Sequence, residues 1–261
     1  MSSVERLKLD AIVHGDVSRA GRRKSILERL KEDGQVDVGD IARAFGVSAM
    51  TIRRDLSYLD AEGLIRRVHG GATGRQPAER RAVTMADEKF RIAKAVRELV
   101  GSGDTVGIDV GTTCTAVAGQ LSTMDDILAV TNSLQAAMQF QSSSSSMIVL
   151  GGLLTSEASL VNGGALESRR SMHLDKLVLG CGGISVSDGI SYSDLAETEV
   201  RRALLNDSDF VIMAADHSKL DRRKLFVLDK LDVLDVLVTT GEPAQELRTA
   251  LHRASVQVII V

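Results

Sequence analysis

The chain has few of the residues on which secreted, membrane-spanning or metal-binding proteins depend. Its two cysteines, Cys114 and Cys181, have no paired spacing. That pattern predicts neither a disulfide framework nor a thiolate metal site, and it favours a reducing, cytoplasmic setting. No apolar run is long enough to cross a bilayer and no secretory leader is recognisable, so we expect no membrane partner. Nor do we expect a metal or a cofactor, since metal-ligand spacing is missing from His14, His173, His217 and His252.

Aromatic residues are also scarce, at 3% of the chain with no tryptophan. A hydrophobic content of 44% still suffices for a core, which must therefore be built from Leu, Val, Ile and Ala. For 261 residues, one large domain or two smaller ones are possible, and the spacing of the motifs described below favours two.

The most informative segment is 47–56, Val-Ser-Ala-Met-Thr-Ile-Arg-Arg-Asp-Leu. Ser48 is a good N-cap for a helix, because its hydroxyl oxygen can accept a hydrogen bond from an orphan backbone N–H. Ile52, Leu56 and Leu59 follow the i, i+4, i+7 spacing of one buried helix face. With that face buried, the outward side chains are those of Met50, Arg53, Arg54 and Ser57, with Thr51 on a flank.

Paired arginines on a helix are more often a solvated surface than a DNA contact, so the flanking segments decide. Upstream, 22–31 is predicted to be a helix, and a short second helix stops at Gly46. The tight connection after Gly46 makes the two later helices cross sharply, as in a helix-turn-helix. Downstream, 64–72 alternates enough to form a small hairpin, which makes this a winged variant. The wing side chains predicted to lie over a phosphate backbone are those of Arg66, Arg67 and His69.

Charge is unevenly distributed along the chain. Residues 21–75 contain eleven Lys/Arg and eight Asp/Glu, a net charge of +3, whereas the whole chain carries −3 and the remainder therefore −6. A basic module attached to an acidic one is expected when only one part touches nucleic acid. Together with the flanking helices and the wing, this asymmetry favours double-stranded DNA as the partner of 21–75.

From residue 87 onward, short apolar runs alternate with helical stretches, which predicts an α/β fold with a mostly parallel sheet covered by helices on both faces. The predicted strands are 105–109, 127–131, 147–150, 176–179, 210–214, 236–239 and 257–261. The predicted helices are 87–100, 113–121, 133–140, 195–206 and 243–254. The predicted domains are a flexible tail (1–20), a winged helix-turn-helix domain (21–75), a linker (76–86) and a larger α/β domain (87–261).

Polar turns follow several of the predicted strands. In an open parallel sheet, ligands bind at the carboxyl ends of the strands, where glycine lets a ligand approach and helix N-termini attract anions. One such turn is as consistent with an ordinary loop as with a ligand site. Four polar turns at successive strand ends, one of them with a lysine, favour a small phosphorylated polyol as the ligand. The candidate ligand-binding residues are Asp109, Gly111, Thr112, Thr113, Thr131, Asn132, Gly151, Gly152, Asp216, Ser218 and Lys219.

Several segments carry a resemblance to a known family. They are 47–56, Leu59, Gly63, 67–72 (Arg-Val-His-Gly-Gly-Ala), Glu88-Lys89, 109–113 (Asp-Val-Gly-Thr-Thr), 131–133 (Thr-Asn-Ser), Gly151-Gly152 and 216–219 (Asp-His-Ser-Lys). By these segments the chain resembles the DeoR family of bacterial transcription regulators, from about residue 22 to its end. The resemblance implies an N-terminal winged helix-turn-helix and a C-terminal domain similar to ribose-5-phosphate isomerase.

The resemblance also implies what the larger domain binds. Members of the family commonly respond to phosphorylated sugar intermediates. By that similarity, the residues that hold the phosphate and the hydroxyl groups would be Gly111, Thr112, Thr113, Asn132 and Lys219. Asp109 and Asp216 are ambiguous, because either carboxylate could instead order its own turn.

An isomerase-like domain raises the question of catalysis, which for aldose–ketose conversion needs a carboxylate base and groups that stabilise an enediolate. The isomerases carry an Asp-Gly-Ala-Asp strand-end motif, whereas 174–180 here is Leu-Asp-Lys-Leu-Val-Leu-Gly and lacks the second aspartate. One predicted helix carries carboxylates with arginines one turn away, which predicts ordinary surface pairing: Glu197, Glu199, Arg201 and Arg202. We therefore expect no catalytic residues and no enzyme, with a sugar-phosphate isomerase carrying an accessory DNA-binding module as the alternative.

The expected function is a repressor of carbohydrate-metabolism genes that binds operator DNA and is relieved by a phosphorylated sugar. The expected DNA contacts are Ser48, Met50, Thr51, Arg53, Arg54, Ser57, Arg66, Arg67 and His69. One winged module buries little surface, so a homo-oligomer, dimer or tetramer, is expected, with the larger domain as sensor and oligomerisation unit. A DNA-architectural protein is a third possibility, but such a protein needs no domain rich in glycine turns.

Overall fold

The computed structural model describes residues 18–33, 35–62, 64–68, 70–74, 85–155, 157–162 and 172–261. The chain divides into two compact units, Met1–Thr84 and Met85–Val261. Most of the predicted tail, most of the predicted linker and His69 lie outside the described residues, as does the side chain of Arg66. The domain limits indicated by the sequence therefore stay a prediction.

In the described part of the N-terminal unit the elements are α1 (Arg19–Asp33), β1 (Gln35–Asp37), α2 (Val38–Phe45), α3 (Ala49–Ala61), β2 (Ile65–Val68) and β3 (Gly71–Gly74). The strands form one antiparallel sheet in the order β1-β3-β2. β2 and β3 are the predicted wing, whereas β1 was not predicted. β1 lies so close to β3 that a Cβ atom on Gly71 would stand 2.0 Å from the Val36 carbonyl oxygen. Glycine is therefore required at this position.

Local sequence sets the ends of the two later helices of this unit. Asp37 caps α2 by accepting a hydrogen bond from the backbone N–H of Gly39 at 2.7 Å. The helix ends at Gly46, whose φ of 63° is the left-handed conformation that glycine adopts at least cost. Ser48 then caps α3 by accepting from the Thr51 N–H at 3.1 Å. The predicted cap and the short connection between α2 and α3 are both confirmed.

The core of this unit is aliphatic. α3 contributes Ile52, Leu56 and Leu59, each at most 2% exposed, as their spacing predicts. Buried residues of the other elements pack with them: Ile26, Leu30, Val36, Val38, Ile41, Ile65 and Ala72. Because this stripe faces the core, the opposite face of α3 is turned outward.

In the described part of the C-terminal unit, helices alternate with strands. The elements are α4 (Ala86–Arg97), β4 (Thr105–Ile108), α5 (Thr112–Leu121), β5 (Leu128–Thr131), α6 (Leu134–Gln139), β6 (Ser146–Val149), β7 (Leu153–Leu154), β8 (Leu160–Val161), β9 (Lys176–Leu179), β10 (Gly183–Ser185), β11 (Gly189–Tyr192), α7 (Leu195–Asn206), β12 (Val211–Ala215), β13 (Phe226–Asp229), β14 (Val236–Thr239), α8 (Gln245–Arg253) and β15 (Gln257–Ile260). Short 3₁₀ turns lie at His217–Lys219 and Leu231–Val233.

Seven parallel strands form the central sheet of this described part, in the order β15-β14-β12-β9-β4-β5-β6. The chain runs outward from β4 to β6 and later returns to β9, which lies beside β4. We call the place between β4 and β9, where the strand order reverses, the switch point. In open α/β sheets, this reversal creates a crevice at the carboxyl ends of the strands. The predicted parallel fold is confirmed, and the observed strand ends differ from the predicted ones by no more than one residue.

Helices cover both faces of the sheet, as predicted. Side chains alternate between the two faces, so neighbouring residues of one strand enter different cores. On β9, Leu177 and Leu179 pack with side chains of α7 and α8, whereas Val178 packs with side chains of α4 and α5. The interior strands are therefore buried on both sides, and the carboxyl ends of the strands are where a ligand is expected to bind.

Two small antiparallel sheets, β10-β11-β13 and β7-β8, accompany the parallel one. The sequence pattern did not predict them, because their strands are only two to four residues long and lie among glycines and polar residues. No helix in the described segments is long and apolar enough to span a bilayer.

A buried ion cluster fixes α1 against α3 in the N-terminal unit. The Asp55 carboxylate of α3 accepts from Arg22 Nε at 2.6 Å and from Arg23 Nε at 2.9 Å. Asp55 is 2% exposed, and the Arg23 guanidinium also stacks on the Tyr58 ring, 3.6 Å from its centroid. These arginines neutralise an inward charge of α3, so they do not belong to the outward face of that helix.

Replacing Asp55 with alanine should destabilise the N-terminal unit by about 3–5 kcal/mol, because it leaves the buried Arg22 charge without its partner. Hydrogen exchange of the α1 and α3 amides in the full chain measures this loss. The control is Glu28→Ala, which breaks an exposed pair with Lys24 on α1 and should cost less than about 1 kcal/mol. Equal protection in the two variants would mean that the cluster does not hold the unit together.

Candidate functional sites

The exposed face of α3 carries the predicted DNA-binding side chains. Met50, Arg53, Arg54 and Ser57 are exposed, and Thr51 is partly buried at the flank. The guanidinium groups of Arg53 and Arg54 form no ion pair or hydrogen bond with any described residue. They present two positive charges to solvent, the arrangement that contact with phosphates and base edges requires.

A side-chain contact joins the wing to α3. Arg67 of β2 donates from Nη1 to Ser57 Oγ at 3.0 Å, and that hydroxyl donates to the Arg53 carbonyl oxygen at 2.8 Å. Two residues predicted to touch DNA, Ser57 and Arg67, thus also hold the wing at a fixed place beside the helix. A phosphate bound at the wing would compete with Ser57 for the Arg67 guanidinium.

In the C-terminal unit, Asp109 lies at the switch point, immediately after β4. Its carboxylate accepts from the backbone N–H of Val110 at 2.6 Å and from that of Gly180, after β9, at 3.1 Å. It also accepts from Arg201 Nε at 2.8 and 2.9 Å. Burial raises the pKa of the Asp109 carboxyl, and the Arg201 charge is the main effect opposing it. With every oxygen engaged by a donor, Asp109 orders the switch point, one of the two roles left open for it.

The prediction that Arg201 forms an ordinary surface pair is wrong. Arg201 is 4% exposed, and besides Asp109 it contacts Glu197, with Nη2 at 3.1 Å from Oε2. Its guanidinium lies over the Tyr192 ring, 4.1 Å from the centroid. Burial lowers the pKa of this guanidinium, but Asp109, Tyr192 and Glu197 outweigh it and raise the pKa above its ordinary value.

The error over Arg201 has a simple cause. Helical spacing places it beside Glu197, as predicted, but does not reveal which side of α7 faces the sheet. The second predicted pair, Glu199 with Arg202, does lie at the surface, with a separation of 3.6 Å. Arg201 is thus a residue of the candidate ligand site that local sequence pattern could not identify.

The first turn of α5 carries the residues predicted to bind phosphate. Gly111 precedes this turn with a φ of 130°, and because glycine has no side chain it cannot cap the helix with one. Thr112 and Thr113 follow in the first turn, and Thr113 is buried. The positive end of the helix dipole at this turn favours a phosphate.

The polar groups of the turn after β5 differ in whether the fold engages them. Thr131 Oγ1 donates to the Ile108 carbonyl at 2.7 Å and accepts from the Ser133 N–H at 3.0 Å, so this hydroxyl is engaged within the fold. The Asn132 amide donates to the Leu160 carbonyl at 3.1 Å. Its Oδ1 is buried and has no hydrogen-bond partner among the described residues. Gly151 and Gly152, predicted for the same site, are exposed after β6.

The turn after β12 places a cation near the switch point. Asp216 is 2% exposed and accepts from the Ser218 N–H at 3.0 Å and from the Ser218 hydroxyl. Asp216 therefore orders its own turn and leaves Lys219 available at the end of it. Burial raises the pKa of the nearby Cys181 thiol to about 12, and the main charge acting against this rise is that of Lys219. Because β12 pairs with β9 in the parallel sheet, the turn that carries Lys219 lies beside the carboxyl end of β9.

Buried polar atoms without partners mark the carboxyl edge of the sheet. In the described ranges these include Asn132 Oδ1, Arg201 Nη1 and Thr239 Oγ1. An unpaired buried polar group costs about 1–3 kcal/mol, which a ligand oxygen or hydroxyl could recover. Thr239 was not predicted, although the strand-end rule that selected Thr131 applies equally to it. Among the described residues, no group of three or more His, Cys, Asp and Glu is placed to hold a metal ion.

Models of known families match both units. The DeoR-like helix-turn-helix domain matches residues 22–77, and the DeoR C terminal sensor domain matches residues 84–241. The glycerol-3-phosphate regulon repressor of Escherichia coli (strain K12) is 32% identical over 85% of this chain and 91% of its own length. The transcriptional repressor AccR of Agrobacterium fabrum is 34% identical over 85% of this chain and 90% of its own.

Solved structures show a weaker likeness. Ribose 5-phosphate isomerase A of Methanocaldococcus jannaschii is 15% identical, with a TM-score of 0.39 over 52% of this chain and 54% of its own. That likeness is too low to carry an argument about activity.

The raised pKa of Cys181 makes its chemical reactivity a measure of the site. With a pKa of about 12, only about one thiol in ten thousand is ionised at pH 8, whereas about a quarter of ordinary cysteines are. Iodoacetamide should therefore label Cys181 far more slowly in the folded chain than in urea. Lys219→Ala should slow the labelling further, because the nearby positive charge is lost. Rapid labelling of the folded chain at pH 8 would show that this environment is wrongly assigned.

Proposed function

The chain belongs to the DeoR family of bacterial transcription regulators, and from that premise we propose how it works. It is a DNA-binding repressor of carbohydrate-metabolism genes, acting in the bacterial cytoplasm, and a phosphorylated sugar or polyol releases it from its operator. The observation that carries this proposal is the outward face of α3, on which Arg53 and Arg54 are free of partners in the described part of the chain.

The N-terminal end of α3 enters the major groove, as the second helix of a helix-turn-helix does. Arg53 and Arg54 supply base-edge and phosphate contacts, and Thr51 and Ser57 supply hydrogen bonds. The wing positions the module on the phosphate backbone through Arg66, Arg67 and His69. Ser48 and Met50 lie at the start of the same face, where Ser48 combines its capping role with proximity to DNA.

A single winged module buries only about 600–1,000 Å² of protein surface, which is small for tight specific binding. Homodimers or homotetramers that read repeated half-sites supply the remainder. The C-terminal unit provides the subunit contacts, because a symmetric assembly lets two modules engage two half-sites at once.

The effector binds at the carboxyl edge of the central sheet, around the switch point. Its phosphate lies on the N–H groups at the start of α5, between Gly111 and Thr113, and is paired with the Lys219 ammonium. Its hydroxyl groups bond with the buried atoms that have no described partner, Asn132 Oδ1 and Arg201 Nη1. A three-carbon polyol phosphate is a natural first candidate, since one relative is named a glycerol-3-phosphate regulon repressor.

The protein senses this ligand and does not convert it. An isomerase needs a carboxylate that can accept a proton from the substrate. At the described switch point, each carboxylate already serves the fold. Asp109 is bound by Arg201, Glu197 is bound by Arg201 and by the Ser159 hydroxyl, and Asp216 caps its own turn. This use of the carboxylates supports a binding site over the alternative, an isomerase with an accessory DNA-binding module.

Replacing Arg53 or Arg54 with alanine should weaken operator binding by about 1–3 kcal/mol if the residue contacts a base. If the residue contacts phosphate, binding should weaken to the same extent for every DNA sequence. Fluorescence anisotropy with operator and scrambled duplexes, over a range of salt concentrations, separates the two cases. Arg248→Ala removes the same charge from an exposed position on α8 and should leave operator affinity unchanged. Wild-type affinity in both α3 variants would refute the assignment of α3 as the recognition helix.

Replacing Lys219 with alanine should abolish the response to effector, because the ammonium pairs with the effector's phosphate. DNA affinity should stay intact, because the proposed DNA contacts all lie in the N-terminal unit. Thermal shifts with glycerol 3-phosphate, ribose 5-phosphate and inorganic phosphate measure binding, since a ligand of the native state raises Tm by mass action. Lys230→Ala, at an exposed position after β13, is the matched control. An unaltered shift in the Lys219 variant would remove that residue from the site.

A further inference from the structure

We propose that His217 and Glu88 form a clamp through which effector occupancy at the Lys219 turn reaches α4, the first helix after the linker. The inference rests on the proposed function and names a contact that couples the effector site to the DNA-binding unit. The clamp is the hydrogen-bonded set of His217, Glu88 and Thr240, in which His217 and Glu88 are positioning residues that touch neither DNA nor effector.

Three separate chain segments meet in the clamp. His217 belongs to the turn after β12, Thr240 follows β14, and Glu88 lies in the first turn of α4. His217 Nδ1 is 2.8 Å from Glu88 Oε2, and the Thr240 hydroxyl donates to the same carboxylate oxygen. The backbone N–H of His217 in turn donates to Thr240 Oγ1 at 3.1 Å. One carboxylate of α4 therefore holds two turns at the carboxyl edge of the sheet.

The position of His217 gives it little freedom to move independently of its neighbours. Its Cβ atom would stand 2.6 Å from a Cβ built on Gly241, so the turn after β12 rests directly on the turn after β14. On its other side, the Asp216 carboxylate accepts a hydrogen bond from the Ser218 backbone N–H at 3.0 Å, and Lys219 follows one residue later. A displacement of the Lys219 backbone on phosphate binding would therefore be transmitted to the His217 ring.

The electrostatics of Glu88 match this geometry. Burial raises the pKa of its carboxyl, but hydrogen bonds from Thr240 and His217 and the His217 charge outweigh that effect, and the pKa lies below its ordinary value. Glu88 is thus an anion that depends on the two turns for its stabilisation. The clamp also gives a role to Glu88, part of the Glu88-Lys89 pair in the sequence resemblance that neither the DNA face nor the effector site uses.

The strength of the clamp suits a contact that an effector makes or breaks. The His217 side chain is 50% exposed and that of Glu88 is 22% exposed. Partly exposed pairs contribute little to stability, so breaking this one does not unfold the unit. A ligand shifts an equilibrium only by its differential affinity for two states, and a contact this weak can be broken by a typical allosteric coupling.

The experiment compares wild type with His217→Ala, using glycerol 3-phosphate, ribose 5-phosphate and inorganic phosphate as probes on the full chain. His217→Ala should bind the effective probe and the bare operator within about threefold of wild type. The drop in operator affinity on adding that probe, about 5- to 150-fold for a typical allosteric coupling, should fall to less than about twofold. Hydrogen exchange of the first turn of α4 should respond to the probe in wild type and not in the variant.

Two further variants separate coupling from damage to the fold. His217→Asn keeps an N–H donor near the position of Nδ1 and should restore the response, whereas Glu88→Gln removes the charge from the α4 side and should weaken it. His252→Ala, at an exposed position on α8, should behave as wild type.

A normal operator response in both His217→Ala and Glu88→Gln would overturn the clamp. Loss of probe binding in His217→Ala would also overturn it, because His217 would then belong to the effector site. If wild type itself binds operator but none of the probes changes its affinity or its Tm, the proposed effector function fails for these ligands, and the clamp falls with it.

Discussion

The buried pair of Asp109 and Arg201 is the interaction on which the C-terminal unit depends. Two parallel strands that are distant in sequence, β4 and β9, must end side by side at the switch point. The Asp109 carboxylate joins them by accepting from Gly180, and Arg201 attaches α7 to the same point. A buried ion pair adds little net stability compared with an apolar pair, because of its desolvation cost. What it contributes here is a fixed geometry of three chain segments around one crevice.

In each unit, a buried carboxylate engages structural arginines, and the cations proposed to bind phosphate lie outside that pairing. In the N-terminal unit, Asp55 engages Arg22 and Arg23 on the inward side, and the outward arginines of α3 have no described protein partner. In the C-terminal unit, Asp109 and Glu197 engage Arg201, whereas Lys219 on a neighbouring turn forms no ion pair with any described residue. The number of arginines therefore says little about binding. Their pairing decides which of them can meet a phosphate.

Local patterns allowed much of this architecture to be predicted. The cap at Ser48 and the stripe of Ile52, Leu56 and Leu59 depend on residues within three turns of one helix, so the sequence contains all the information they require. Parallel strands buried on both faces are continuous apolar runs, and their limits were predicted to within one residue. β1 has three residues and exists only because Gly71 lets it approach β3, a condition no local pattern reveals.

The candidate sites were harder to predict, because burial and pairing are tertiary properties. Arg201 and Arg202 are adjacent on α7, and only the packing of that helix decides that the first is 4% exposed and the second lies at the surface. The turns of Thr131 and Asp216 were located correctly at strand ends. Whether their polar groups bind a ligand or the fold depends on neighbours brought from other strands, as with the Ile108 carbonyl that accepts from Thr131.

The contrast between buried and exposed pairs also restricts where a signal can travel. Breaking the Asp109–Arg201 pair would leave a buried charge uncompensated, a cost of about 3–5 kcal/mol that exceeds the coupling an effector typically supplies. The switch point is then expected to stay rigid if the proposed effector binds beside it. The pair of His217 and Glu88 is partly exposed, and a pair of this kind contributes only about 0–1 kcal/mol. In the proposed mechanism, effector binding at this edge is therefore expected to move the turn before it moves the sheet, and the helix attached to that turn is the one that follows the linker.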